Sequence, residues 1–183
     1  MKETGLMFKA PLVRAILAGQ KTQTRRVVKS RQGLYPACDN WSIDSIRRNY
    51  GDPYGQPGDR IYVRETWAPN TVEPVSDRPA ADFLYAATDA EKYSVCCWRP
   101  SIHMPKAAAR IWLEVTGVRV ERLQQITDAD ALSEGVDRTN TSIPGYARER
   151  FRALWESTGG DWGANPWIWA IEFRVLSTTG RPA

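Results

Sequence analysis

Histidine is almost missing from this chain: 183 residues contain one, His103. That excludes a histidine-rich metal centre and leaves a serine–histidine–aspartate triad a single residue to draw on. His103 lies among turn residues, Pro100-Ser101-Ile102-His103-Met104-Pro105, and its neighbours name no partner, so a structural role is expected. Cysteine is also scarce, with Cys38 and the adjacent Cys96 and Cys97. An odd count without Cys-x-x-Cys spacing predicts neither a disulfide framework nor a zinc site, and points to a reducing, cytoplasmic setting without metal or other cofactor. No apolar run approaches the roughly 18 residues that a membrane span requires, and the mean hydropathy is -0.48. Lys9 and Arg14 interrupt the apolar stretch a signal peptide would need. The sequence carries no phosphate-binding loop, no Gly-x-Ser-x-Gly elbow, no zinc-protease helix and no internal repeat.

What is present in quantity is aromatic and basic. Eight Trp, seven Tyr and four Phe supply material for a core and exclude a disordered chain. Lys and Arg total 25 against 21 Asp and Glu, a formal charge of +4. The pI near 9.1 is compatible with an anionic partner such as a nucleotide or RNA without demanding one. At roughly 150 residues per domain, the length predicts one domain over residues 1–183, with insertions at about 30–57 and 68–105.

Local patterns place the elements. A short strand is expected over Gly5–Phe8. A helix should follow over about 11–18, because Pro11 suits the first turn, Leu12/Ile16 and Val13/Leu17 repeat at i, i+4, and Gly19 suits the cap. From Gln23 a strand would put Thr24, Arg26 and Val28 on one face, with Lys21 in the turn before it. A short helix near Ile43–Arg47 interrupts a long loop, and Pro57-Gly58-Asp59 is a turn. The strand Arg60–Trp67 would carry Ile61, Val63, Glu65 and Trp67 together. A carboxylate on an apolar face needs a partner, so Glu65 is either functional or paired with a nearby arginine. Further strands are expected over Asp82–Thr88, Tyr93–Arg99 and Arg110–Val120, the last with a bulge at Gly117. Thr127-x-x-Asp130 resembles a capping box opening a short helix that Gly135 closes. A second helix runs over about Tyr146–Glu156. A final strand, Trp167–Leu176, has Trp167, Trp169, Ile171, Phe173 and Val175 on one side. Five or more short strands with flanking helices imply an α+β fold around a small mixed barrel. Trp112, Trp155, Trp167 and Trp169 look like core; Trp41, Trp67 and Trp98 lie in or beside the insertions that wall a cleft.

The polar residues that stand out are Lys21, Thr24, Arg25 and Arg26, with Glu65 and Glu134 downstream. Glu134 lies at the negative end of its short helix, where a carboxylate is disfavoured by about 0.3–1 kcal/mol and has reason to hold a proton.

Leu17-Ala18-Gly19-Gln20-Lys21-Thr22-Gln23-Thr24-Arg25-Arg26 resembles the ASCH-domain signature, Gly-x-Lys-x-x-[Thr or Glu]-x-Arg. Gln56-Pro57-Gly58-Asp59-Arg60-Ile61-Tyr62-Val63-Arg64-Glu65, the strand from Arg110, Ile126 to Gly135, and Trp167 to Val175 follow in the order of that family. The resemblance covers most of the chain, with the insertions of longer, phage-type members. It implies a PUA-like β-barrel with a cleft where the signature turn meets the Glu-Gly helix. It also implies one of several activities: removal of acyl groups from N4-acylated cytosine nucleosides such as N4-acetylcytidine, RNA binding, RNA cleavage, or transcriptional coactivation. For the amidohydrolases, the catalytic Lys, Thr and Glu match Lys21, Thr24 and Glu134.

Amide hydrolysis needs a nucleophile, a base and an acid for the leaving amine. Thr24 can be the nucleophile, a neutral Lys21 its base and Glu134 the acid. Alternatively, Glu134 or Glu65 activates water and Lys21 stabilises the oxyanion. Arg26 can steady substrate oxygens, and Trp67 or Tyr62 can stack on the base. A modified cytosine nucleoside or RNA is the expected partner; a binding module, possibly ribonucleolytic, and a phage accessory protein acting through protein contacts are the competing readings. Oligomeric state stays open.

Overall fold

Proline at the start of a helix loses no hydrogen bond, since the first-turn amides have no intrahelical acceptor. Pro11 accordingly sits in the first turn of α1 (Ala10–Leu17), which buries Val13 and Ile16. In the computed structural model, residues 1–29, 42–70, 83–92 and 97–182 are described. Before α1 runs β1 (Glu3–Met7), and after it β2 (Gln23–Val27), α2 (Ile43–Tyr50), β3 (Arg60–Arg64), β4 (Trp67–Pro69), β5 (Phe83–Tyr85) and α3 (Ala86–Asp89). The second half contributes β6 (Trp112–Arg122), α4 (Asp128–Ser133), α5 (Tyr146–Ser157) and β7 (Trp167–Ser177).

Five strands make one mixed sheet in the order β1-β3-β6-β7-β2. β1 runs parallel to β3 and the other pairs are antiparallel. β4 and β5 form a separate antiparallel ribbon. The α+β class with a mixed sheet and flanking helices is therefore as the sequence implies. The sheet curls: Arg26 on the edge strand β2 donates to the Met7 carbonyl at the end of the opposite edge strand β1, at 2.7 Å. Residues from β1, β3, β6 and β7, with Phe8 just after β1 and Val28 just after β2, meet in one apolar core with α1; Leu6, Ile61, Leu113 and Trp169 are among them. Ile46 of α2 belongs to it and is fully buried, so part of the expected 30–57 insertion packs into the main core.

A second core lies on the other side of β7, where Ile168 and Ala170 meet Ala131 of α4 and Phe151 of α5. This corrects the expected one-sided β7. Its first half is covered on both faces, whereas Val175 further along is 40% exposed. Alternation fails because the helices cover the face that a free sheet would leave to water.

Other boundaries move for identifiable reasons. The expected strand Arg60–Trp67 is two strands, since Trp67 leaves β3 and exchanges backbone hydrogen bonds with Arg99 (3.1 and 2.7 Å). The expected strand Asp82–Thr88 turns helical at Ala86, where the Asp89 carboxylate accepts the Tyr85 amide at 2.9 Å. Of the expected strand Tyr93–Arg99, residues 93–96 lie outside the described set, as do Trp41, Cys38 and Cys96. The β6–β7 register does shift between Val115 and Gly117, where the bulge is expected. No helix among the described residues is long and apolar enough to cross a membrane.

Gly135 closes α4 with a φ of +85°, and a Cβ there would lie 2.9 Å from Ala15 Cβ and 3.0 Å from Lys21 Cβ. Gly19 has a φ of +69° but open space around it. Alanine in left-handed backbone costs about 1–2 kcal/mol at either position. The clash should add about 1–3 kcal/mol at Gly135 alone. Urea denaturation of Gly135→Ala and Gly19→Ala measures the difference, and equal losses would mean that α1 and α4 are not in tight contact there.

Candidate active site

The turn after α1 delivers Lys21 inward. The amides of Gln20 and Lys21 both return to the Ala15 carbonyl, at 2.9 and 3.1 Å, and the Thr22 amide bonds Ser133 O at 2.8 Å. Lys21 thereby forms a backbone bridge with Glu134. On the other side, Thr127 opens α4 with a reciprocal capping box, its Oγ1 accepting the Asp130 amide and Asp130 accepting the Thr127 amide. The helix lasts six residues, and Glu134 is its C-cap.

A buried ammonium must place three hydrogens, and Lys21, 1% exposed, places all of them. Nζ donates to Gln23 O at 2.7 Å, Glu134 O at 2.8 Å and Glu134 Oε2 at 2.6 Å. Burial pushes this ammonium below the ordinary lysine range; Glu134 opposes that shift, and Arg26 and Arg25 add to it. The other Glu134 oxygen, Oε1, accepts from Arg25 Nη1 at 3.1 Å. Arg25 is itself 4% exposed and bonds Gln23 Oε1 and, at 2.7 Å, Glu121 Oε1, with Asp130 at 3.5 Å.

Arg26 is in a different position. Burial lowers its guanidinium's affinity for the proton, partly offset by Tyr54 and Glu134. Its contacts are the Met7 carbonyl and the face of Phe8, 5.2 Å from the ring centroid.

Thr24, Arg25, Arg26 and Glu134 line a cavity of about 1090 Å³, together with Phe8, Tyr54, Phe151, Trp155, Gly159, Gly160 and Trp167. The structure thus brings Thr24, Arg26 and Glu134 to one space. Lys21 stands behind Glu134, outside the lining, and among the described residues no hydrogen bond joins it to Thr24 Oγ1. Glu65, Tyr62 and Trp67 are elsewhere. Glu65, 1% exposed, is held by Arg110 through two bonds of 2.9 and 3.0 Å, the arginine-pair alternative for this residue. Burial pushes its carboxyl up, against the Arg110 hydrogen bond. Tyr62 packs on Trp112 and Trp67 on Phe83, in a third apolar cluster under the β4–β5 ribbon. His103 is exposed in a 3₁₀ turn outside the lining.

The tryptophans exchange places relative to the sequence expectation. Trp155 and Trp167, expected in the core, are half-buried and line the cavity, whereas Trp67, expected at the cleft, is 4% exposed and packed. Arg25, named in the sequence beside Lys21 and Thr24, belongs to the site and meets Lys21 through Glu134. Tyr54 and Phe8 also line it; for Tyr54, in a loop after α2, no sequence signal existed.

No protein-family model matches the chain, and no curated protein sequence matches it. Among solved structures it is similar to an ASCH domain from Lactobacillus crispatus JV V101, at 13% identity and a TM-score of 0.46 over 96% of this chain and 80% of that one. It is also similar to a DUF984 protein from Enterococcus faecalis V583, at 12% identity and a TM-score of 0.44 over 100% of this chain and 86% of that one.

Removing one partner of a buried ion pair strands the other charge and costs about 3–5 kcal/mol, whereas removing both for apolar groups is near neutral. Lys21→Met should therefore lower stability, by less than that full amount because Arg25 still holds Glu134 Oε1 at 3.1 Å, and Lys21→Met/Glu134→Leu should recover part of it. Chemical denaturation of both variants provides the check; a double variant no more stable than the single one contradicts it.

Proposed function

We propose that the chain is a cytoplasmic amidohydrolase that removes the acyl group from N4-acylated cytosine nucleosides such as N4-acetylcytidine. The observation that carries this reading is that Thr24 and Glu134 line one cavity while the buried Lys21 Nζ lies 2.6 Å from the Glu134 carboxylate.

In this reading Thr24 Oγ1 attacks the acyl carbon. Glu134 takes the hydroxyl proton and passes it to a neutral Lys21, whose burial makes the amine form accessible. Arg26, near Glu134 on the same lining, faces the negative charge that develops on the acyl oxygen. The proton then returns through Glu134 to N4 as the C–N4 bond breaks. Cytosine leaves as the free amine, and water hydrolyses the acyl-threonine. Lys21 acts through Glu134 and is a positioning and proton-holding residue, not one that touches substrate. Glu65 has no step here, because it lies outside the cavity lining, paired with Arg110.

A nucleotide- or RNA-binding module without turnover is the second reading, favoured by Lys9, Lys29 and Arg122 at the cavity beside its aromatic residues. It expects salt-dependent binding of single-stranded RNA in the absence of any hydrolysis.

Purified protein should convert N4-acetylcytidine to cytidine without added metal. Thr24→Ala and Glu134→Gln should each lower kcat/KM by about 10²–10⁴. Product chromatography decides, and full activity in Thr24→Ala removes the nucleophile assignment. A base that must lose its proton gives a rate that rises with pH through its pKa. The rise should fall below the ordinary lysine range, because the Lys21 shift is downward. Lys21→Met should abolish that limb of the pH profile; an unchanged limb would falsify the relay.

A further inference from the structure

Donors that are buried without an acceptor are rare in folded proteins, and each one calls for an explanation. Among the described residues six buried side-chain N–H groups have no partner: Arg64 Nε, Trp67 Nε1, Arg25 Nε, Arg26 Nε, Trp155 Nε1 and Trp167 Nε1. The last four belong to side chains that line the same cavity, and they come from three different elements, β2, α5 and β7. The two tryptophans have little freedom to turn elsewhere. Trp155 lies against Phe151, with centroids 6.1 Å apart, and a Cβ on Gly160 would come within 2.3 Å of the Trp155 indole nitrogen. Trp167 carries the Arg122 guanidinium 4.5 Å above its ring.

Charge points the same way. The carboxylates on the lining are Glu134 and Asp161. Glu134 is already shared between Lys21 and Arg25. Among the described residues Arg26 has no carboxylate within salt-bridge distance, although burial works against its charge. A partly buried guanidinium hydrogen-bonded to one carbonyl is costly unless an anion completes it. A wall of indole and guanidinium donors, with cations behind them, is complementary to a group that offers acceptor oxygens and negative charge but no hydrogens.

We propose that this cavity contains a phosphate subsite, walled by Trp155 and Trp167 with Arg26, Lys29 and Arg122 around it, so that a phosphorylated cytosine nucleoside is preferred over the free nucleoside. The proposal rests on the amidohydrolase reading for the identity of the base, and on the unpartnered donors for the phosphate. The phosphate can belong to a free 5′-monophosphate or to the backbone of an RNA strand; the chemistry recognised is the same.

Calorimetric titration of the full chain separates these cases. The ligands are cytidine, cytidine 5′-monophosphate, N4-acetylcytidine, its 5′-monophosphate, and a trinucleotide with N4-acetylcytidine at its centre. Charge-assisted hydrogen bonds to the phosphate should give each monophosphate an affinity at least about tenfold above its nucleoside. Trp155→Phe and Trp167→Phe keep a ring and lose the N–H, and each should reduce that ratio several-fold. Lys29→Gln, at an exposed position, should reduce it and weaken its salt dependence without disturbing the fold. Equal affinities for nucleoside and monophosphate overturn the subsite, and so does an undiminished ratio in all three variants. A trinucleotide that binds more tightly than the monophosphate assigns the phosphate to RNA; weaker binding assigns it to the free nucleotide. Preferential monophosphate binding without hydrolysis removes the amidohydrolase reading and leaves the subsite. Hydrolysis of N4-acetylcytidine without any preference for the phosphate does the reverse.

Discussion

An ammonium taken out of water must find three acceptors, and the surroundings of Lys21 are organised by that need. Two of its acceptors are carbonyls, Gln23 O from the start of β2 and Glu134 O from the end of α4; the third is the Glu134 carboxylate. One side chain thus ties the exit of α1, the entry of β2 and the C-cap of α4 to a single point. Gly135 must lack a Cβ for the chains to come this close, since Ala15 and Lys21 already occupy the space. Arg25 closes the arrangement from the other side, holding Gln23, Glu121, Asp130 and Glu134 around one guanidinium.

The consequence for the cavity is that Glu134 has little freedom. Both oxygens are occupied by cations on the protein side, so its position relative to Thr24 is set before any ligand arrives. Preorganisation of this sort is what makes an electrostatic contribution to catalysis effective, because no reorganisation accompanies the reaction. The aromatic part of the lining is built differently. Phe151 anchors α5 in the second core with Ile168 and Trp162, while Trp155, one turn on, reaches the cavity. The two cores on either side of β7 therefore do separate work: one holds the curled sheet together, and the other fixes the helix that supplies the aromatic wall.

Much of this was legible in the residues themselves. The i, i+4 pairs of α1, the Thr127 capping box, Gly135 at the end of α4 and the Gly117 register shift are all local, and each acts through neighbours within about one or two turns or one bulge. The site was legible to the extent that Lys21, Thr24 and Glu134 stood in such local signals. What misled was the use of periodicity to assign burial. Trp155 and Trp167 keep the phase of core residues, and Trp67 lies beside an insertion. Yet Trp67 is buried because Met104, Ala108 and the β4–β5 ribbon cover it, while Trp155 and Trp167 border empty space. Nothing within a few residues of a tryptophan encodes which distant segment lies over it.

Glu65 and Glu134 show the division most clearly. In sequence both are carboxylates in an unfavourable setting, one on an apolar strand that calls for a partner and one at a helix C-terminus with reason to hold a proton. Which partner is a tertiary matter. Arg110 reaches Glu65 across 45 positions and makes it structural; Lys21 reaches Glu134 across 113 positions, at the edge of a cavity. The sequence by itself determined where α1, α4 and α5 start and stop, and that these two carboxylates sat in unfavourable settings. Only the tertiary structure decided which cation each one met, because local propensities act over a few residues, whereas the order β1-β3-β6-β7-β2 sets which distant segments become neighbours.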